Sequence, residues 1–276
     1  MTQKLSISRA WDETKARIAA DGRLLLTVAL ALIAVPTAIA EFAFPTPGPT
    51  NLPQSPVQGA VMIVVTLIGL VGQLAVIRLA IGPSVSVGEA IAHAVRRAPA
   101  YLGAALLLLL ALFLIAIPVG MVLTAMGMSF GPGASTPPSG GALVVLLLFL
   151  VVLLVLAVRM LVTSPVASAE ALGPIGIIRR SWRLTAGNTW RLLGFICLFL
   201  IGAVVLVAAV DIVTGLIVTA ALGPPDPRSV SALVAGLVMA LLSAAVTTLF
   251  IVMIARIYVQ LAEGSGAEAS VPTSGT

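Results

Sequence analysis

Residues 102–128 read LGAALLLLLALFLIAIPVGMVLTAMGM, 27 consecutive residues without a charge. As an α-helix that run is about 40 Å long at 1.5 Å per residue. The hydrocarbon of a bilayer is roughly 30 Å thick. In lipid every main-chain N–H and C=O must find a partner within the protein, and a helix supplies them inside the segment itself. The ten-residue alternation of a membrane-barrel strand is missing. Five further runs of the same kind accompany it, at Leu24–Phe44, Val57–Ile81, Ala142–Val162, Leu192–Leu222 and Val230–Leu261. Each has at least the roughly 20 residues that a crossing needs, and the longer ones tilt or continue beyond the membrane surface.

Composition points the same way. The chain is 60% hydrophobic and 9% charged, with a mean hydropathy of +1.18, whereas soluble domains carry about 25% charged residues. The expected fold is an all-α integral membrane protein. A single six-helix domain spans residues 1–262, and a polar, disordered tail follows at 263–276. The net charge is +5 and the pI about 10.3. In a soluble protein that balance would point to nucleic acid. Here the charges sit between apolar runs, so the acidic partner it implies is the anionic membrane surface. One cysteine, Cys197, and one histidine, His93, exclude an intrachain disulfide and a cysteine- or histidine-rich metal cluster. No cofactor is expected.

The first run resembles a leader peptide, because Ala38-Ile39-Ala40 precedes Glu41 as a cleavage site would. Two features favour a retained helix. Asp12, Glu13 and Asp21 precede the run. Leu32-Ile33-Ala34-Val35-Pro36 also recurs as Leu114-Ile115-Ala116-Ile117-Pro118 within the third run, and a removable leader has no reason to match an internal span.

The connections alternate in charge. Pro45–Pro56 and Ser129–Gly141 carry none, and Gly223–Ser229 carries only Asp226 and Arg228. The remaining fourteen of the fifteen basic residues lie on the other side: Lys4 to Arg23 before the first span, then Arg78, Arg96, Arg97, Arg159, Arg179, Arg180, Arg183, Arg191 and Arg256. The positive-inside rule places that side, and both termini, in the cytoplasm.

The chain divides into three hairpin-like repeats, each a basic segment, an outward helix, an outer loop and a returning helix. The returning helices carry Arg78, Arg159 and Arg256. Arg78 is followed by Gly82-Pro83 and Gly88-Glu89-Ala90; Arg159 is followed by Ser164-Pro165 and Ala169-Glu170-Ala171. Each glutamate lies eleven residues beyond its arginine. That spacing predicts structural ion pairs Arg78–Glu89 and Arg159–Glu170, formed as the proline turns the chain back. The basic segments place apolar residues at helical spacing: Ile7, Trp11 and Ile18; Val87, Ile91 and Val95; Ile175, Ile178 and Trp182. They are expected as amphipathic cytoplasmic surface helices.

Glu170 also opens a stretch that continues through Arg179-Arg180-Ser181-Trp182-Arg183-Leu184-Thr185-Ala186-Gly187-Asn188-Thr189-Trp190-Arg191-Leu192-Leu193-Gly194. This resembles the signature of the polytopic membrane domain associated with bacterial glycerophosphoryl diester phosphodiesterases, a glutamate followed by Arg-Ser-Trp-x-Leu-Thr-x-Gly and a second tryptophan. The specific part covers about twenty-five residues. The resemblance implies a six-helix membrane module alone, without the phosphodiesterase barrel, whose acidic ligands and histidines have no counterpart here. Physically, Trp182 and Trp190 suit the headgroup level. Arg179, Arg180, Arg183 and Arg191 can contact lipid phosphates, each worth on the order of 1 kcal/mol at an anionic surface. The plainer reading is that the motif fixes topology.

Ionisable residues within a span are functional suspects, but depth removes most. Glu41 lies eighteen residues after Arg23, and Asp211 twenty after Arg191. At 1.5 Å per residue those are about 27 and 30 Å, near the outer boundary. Arg78, Arg159 and Arg256 are close enough to helix ends to snorkel. Gln73 is deeper and is expected to bond a neighbouring helix. Pro36 and Pro118 are potential kinks. No nucleophile–base pair or phosphate-cradling loop is present, so a non-enzymatic protein is expected. It would associate with lipids, anionic headgroups above all, or scaffold a membrane complex. The alternative is a small-solute or lipid transporter with a cavity between repeats.

Overall fold

The computed structural model describes residues 5–44, 55–82, 85–128, 139–223 and 229–269. Lys4, Pro83, most of the three outer loops including Asp226 and Arg228, and the tail from residue 270 fall outside them. Among the described residues there is no strand, and six helices are long and apolar enough to cross a membrane. The chain is a multi-pass helical membrane protein.

The first span is one rod of three parts: α1 (Ile7–Ala29), a π-helical turn (Leu30–Ala34) and α2 (Val35–Ala43). Pro36 explains the wide turn. Its ring would meet the carbonyl of Leu32 one turn back and it has no N–H to offer, so an inserted residue lets the helix pass. Thr37 Oγ1 donates to Ile33 O at 2.7 Å, which satisfies a carbonyl at the break. α3 is Pro56–Ile81, with Ser55 as N-cap and proline at its first position. α4 (Val87–Ala125) runs through Pro99 and Pro118 without interruption. At 39 residues it is about 58 Å long, so part of it must extend beyond the hydrocarbon. α5 is Gly140–Arg159, α6 Thr163–Ala169, α7 Pro174–Thr185, α8 Thr189–Leu222 and α9 Val230–Ala269.

Two of the three basic segments are therefore not separate surface helices. Residues 7–23 and 87–97 are the opening turns of their own spans, because nothing in either sequence breaks the helix. Only the third becomes a helix by itself, α7, set off by Gly173 and by Pro174 at its first position. Pro165 does not stop a helix either. α5 has ended at Arg159, and Pro165 sits in the first turn of α6, where a missing N–H leaves no bond unmade.

α3 is the hub, against α1, α4, α6 and α9; α8 lies against α9, and α4 against α7. α4 contacts α3 and α7 more than its hairpin partner α5, so the units interleave. Gly72 makes a close approach to Leu32 and Ile33 of the π-helical turn. The fully buried large side chains include Leu25, Leu74, Ile77, Ile177, Leu192, Met253 and Ile257. They gather where the end of α3, the start of α8 and the last third of α9 meet the short helices α6 and α7. Farther along α4, α5 and α8, Leu106, Leu110, Leu114, Leu147, Leu148, Ile201, Val205 and Ile212 are exposed. A surface of that kind would aggregate in water, but lipid tails are as apolar as leucine and cover it without penalty.

Candidate functional site at the basic end of the bundle

The packed end of the bundle is also where its arginines lie, and helix ends decide where they point. The last carbonyls of a helix lack intrahelical partners and carry partial negative charge. At the end of α3 two arginines from other helices meet that need. Arg17 of α1 donates to the carbonyls of Leu79 and Gly82 and pairs with Asp21 at 3.0 Å. Arg256 of α9 donates to Ala80 O at 2.8 Å. Arg256 is thus turned inward, and the expected snorkelling to the surface does not occur. The end of α5 is met by hydroxyls: Ser181 Oγ donates to Arg159 O at 2.7 Å, and Thr185 Oγ1 reaches the same oxygen at 3.4 Å.

The predicted ion pairs are redistributed. Glu170 Oε1 accepts from Arg180 Nε and from the Tyr258 hydroxyl, both at 2.9 Å. Arg159 instead lies over the Trp182 ring, 5.2 Å from its centroid. The reason is local. The extended segment after α6 leads straight into α7, whose second turn returns Arg180 to Glu170, while Arg159 ends α5 beside the opposite face of α7. Glu89 also forms no ion pair with Arg78 among the described residues. It is the third residue of α4 and completes a capping box: Ser86 Oγ accepts from Glu89 N at 3.3 Å, and Glu89 Oε2 accepts from Ser86 N at 3.0 Å. Two glutamates at equal spacing thus have unlike jobs, one as a helix cap and one as a tertiary anchor.

The six expected headgroup residues separate into two groups. Arg180 is committed to Glu170, and Arg191 Nη1 donates to Leu5 O at 2.8 Å. Arg179, Trp182, Arg183 and Trp190 are exposed, as is Arg191 itself. Gly187 adopts φ +84°, a left-handed conformation that ends α7 and turns the chain into α8. That turn holds Trp182 and Trp190 at the same end of the molecule. Tyr258, Arg17, Ser181 and His93 also belong to this end and were not singled out by sequence. Ser86-Val87-Gly88-Glu89 was the one local signal available, a capping-box pattern.

Cavities lie on both halves. One of about 540 Å³ opens between α1, α8 and α9, with Trp11, Phe195, Phe199 and Gly202 on its walls. One of about 720 Å³ lies between the π-helical turn, α2 and α9 and is lined in part by Thr37, Ser243 and Thr247. A polar one of about 400 Å³ lies between the end of α3 and the start of α4. Gln73 lines none of these, and its side chain makes no hydrogen bond among the described residues, contrary to the expectation of an interhelical bond. No group of three or more potential metal ligands occurs among the described residues.

A family model described as a domain of unknown function, DUF7847, matches residues 13–261. The match takes in residues from all six spans and the whole 170–194 stretch. Its description names neither an activity nor the phosphodiesterase-associated module that this stretch resembles. No curated protein matches the chain, and no solved structure does.

Proposed function

The chain belongs to the DUF7847 family, and since membership names no activity we propose a role from the geometry: a non-enzymatic, lipid-associating module of a bacterial inner membrane, its basic end seated among anionic headgroups on the cytoplasmic side. The exposure of the tryptophans carries this reading. The chain has three, and Trp11, Trp182 and Trp190 are 41%, 45% and 83% exposed, all at the basic end. An indole in bulk water is a poor use of a large apolar ring, whereas the headgroup layer accepts both its face and its N–H. Arg179 and Arg183 flank Trp182 and supply charge for lipid phosphates. Arg180 and Arg191 position this face rather than serve it. The likeness of residues 170–194 to the phosphodiesterase-associated module is compatible with such a role.

Reconstitution into vesicles of phosphatidylcholine alone, or with phosphatidylglycerol, tests the proposal. Single-tryptophan variants that retain Trp190 should be quenched by a headgroup-level quencher. The phosphatidylglycerol vesicles should raise the melting temperature of the parent protein but not of R179Q/R183Q. Water-like quenching of Trp190, or equal stability in both vesicles, would overturn it.

A second reading, transport, draws on one observation. The cavity beside α2 and α9 places three hydroxyl residues next to the π-helical turn, and broken helices beside cavities are a transporter device. Labelling of Thr37→Cys by a membrane-impermeant thiol reagent from both sides of the membrane would favour it.

A further inference from the structure

The polar cavity at the start of α4 is lined by Arg78, Val85, Glu89, Ala92, His93 and Arg96. Glu89, Ala92, His93 and Arg96 follow one face of α4 at spacings of three and four, and Arg78 faces them from the last turn of α3. We propose that this cavity is a binding site for a phosphate group, with Arg78 and Arg96 as its cationic donors.

The argument rests on which arginines the fold has used. Arg17, Arg159, Arg180 and Arg256 are partly buried, and each donates to a protein acceptor. Arg78 is partly buried too, yet its guanidinium makes no hydrogen bond or ion pair among the described residues. Arg96, on the other wall, likewise makes none. A half-buried guanidinium holds five donors in a rigid fork suited to phosphate oxygens. Half-buried Arg78 and exposed Arg96 thus place two guanidiniums, without protein partners among the described residues, on the walls of one concavity of about 400 Å³, an arrangement suited to an anion.

The one carboxylate on the wall is already engaged. Glu89 Oε2 accepts from both the amide and the hydroxyl of Ser86, at 3.0 and 2.8 Å, and its charge lies at the α4 N-terminus, where the helix dipole offsets it. The formal charge of the lining, with Arg78 and Arg96 against Glu89, stays at +1. His93 is fixed by contact of Nε2 with Ser168 O at 2.7 Å. A carbonyl can only accept, so Nε2 carries the hydrogen and Nδ1 is left outside this contact. The site is separate from the α7–α8 face and stands or falls independently of it.

The phosphate can come from a lipid headgroup or from a soluble ester, and the test separates them. Full-length protein in a phosphate-free maltoside detergent is titrated with inorganic phosphate, with phosphatidylglycerol, and with a phosphate-free diacyl glycolipid. Melting temperature is the readout. Saturable stabilisation by phosphatidylglycerol alone assigns a headgroup site; stabilisation by inorganic phosphate as well assigns one open to soluble phosphates. In either case R78Q and R96Q should weaken apparent affinity about tenfold, the loss of one charge-assisted hydrogen bond. R23Q, an exposed change outside the cavity, should have no effect. Each variant must elute as the parent does on size exclusion. Arg96 is exposed, so its variant keeps the test decisive if R78Q misfolds. No saturable response to either phosphate source, an equal response to the glycolipid, or unchanged affinity in R96Q would overturn the proposal.

Discussion

Arg256 reaches across from α9 to donate 2.8 Å to the main-chain carbonyl of Ala80, 176 positions away in sequence. With Arg17 at Leu79 and Gly82, it closes the end of α3 with charge of the sign that the helix dipole favours. Replacing it leaves the carbonyl of buried Ala80 without that partner at the end of the hub helix. R256A should cost about 1–3 kcal/mol, and R256K should cost less, because an ammonium can still reach one carbonyl. Thermal unfolding in detergent checks the order. Equal losses for the two variants would mean that packing of the side chain, rather than its charge, is what matters.

Glu170 offers a sharper comparison because two arginines compete for it on paper. If Arg180 is its partner, charge reversal at either position should lower the melting temperature, and E170R/R180E should recover at least half of the loss. The exchange E170R/R159E should recover none, since Arg159 lies against Trp182. Recovery by the second pair would reinstate the arrangement that spacing alone suggests. Y258F removes the other hydrogen bond to the same oxygen and should cost about 0.5–1.5 kcal/mol.

The two pairs illustrate what was legible in the chain and what was not. Crossing segments are visible because hydropathy is a property of each residue summed along a run, and all six were identified. Partners are not, because they depend on where the helix ends. The spacing of eleven residues from Arg78 to Glu89 and from Arg159 to Glu170 looks like a repeat. In three dimensions one glutamate opens a helix and the other precedes a helix, so equal spacing leads to different neighbours. Ser86 and Glu89 did carry a local signal, a serine three residues ahead of a glutamate before a helical run. Tyr258 and Ser181 carried none, since their acceptors lie 88 and 22 positions away. Separate surface helices were expected three times, and only the third segment forms a helix of its own, α7, where Gly173-Pro174 supplies a break.

Trp182 carries two loads, one to Arg159 and one, on the proposed reading, to the headgroup layer. They can be separated. W182F keeps a ring beneath the guanidinium at 5.2 Å but removes the N–H, and W182L removes both. In detergent, W182L should lose about 0.5–1 kcal/mol of stability, with W182F between it and the parent. In phosphatidylglycerol vesicles the gap between W182F and the parent should widen. An unchanged gap would confine Trp182 to its contact with Arg159.

Gly72 tests how tightly the hub helix meets the π-helical turn. A Cβ built there would stand 2.7 Å from Leu32 Cβ and 3.0 Å from Ile33 Cγ1. Neither neighbour can give way easily: the first is the root of its side chain, and both belong to the wide turn that Pro36 imposes. Gly69, one turn earlier on α3, has nothing within 4 Å of the same position. Alanine is the better helix former at both sites, by up to about 1 kcal/mol. G69A should therefore be neutral or stabilising. G72A should instead cost about 1–3 kcal/mol through overpacking, despite the identical chemical change. The discriminating measurement is the difference between the two melting temperatures in one detergent. If Leu32 is then shortened to alanine, its Cβ remains, so L32A should not rescue G72A; L32G should relieve the closest contact. Rescue by L32A would place the clash farther out on the leucine side chain and would mean that α3 and the π-helical turn sit farther apart than described.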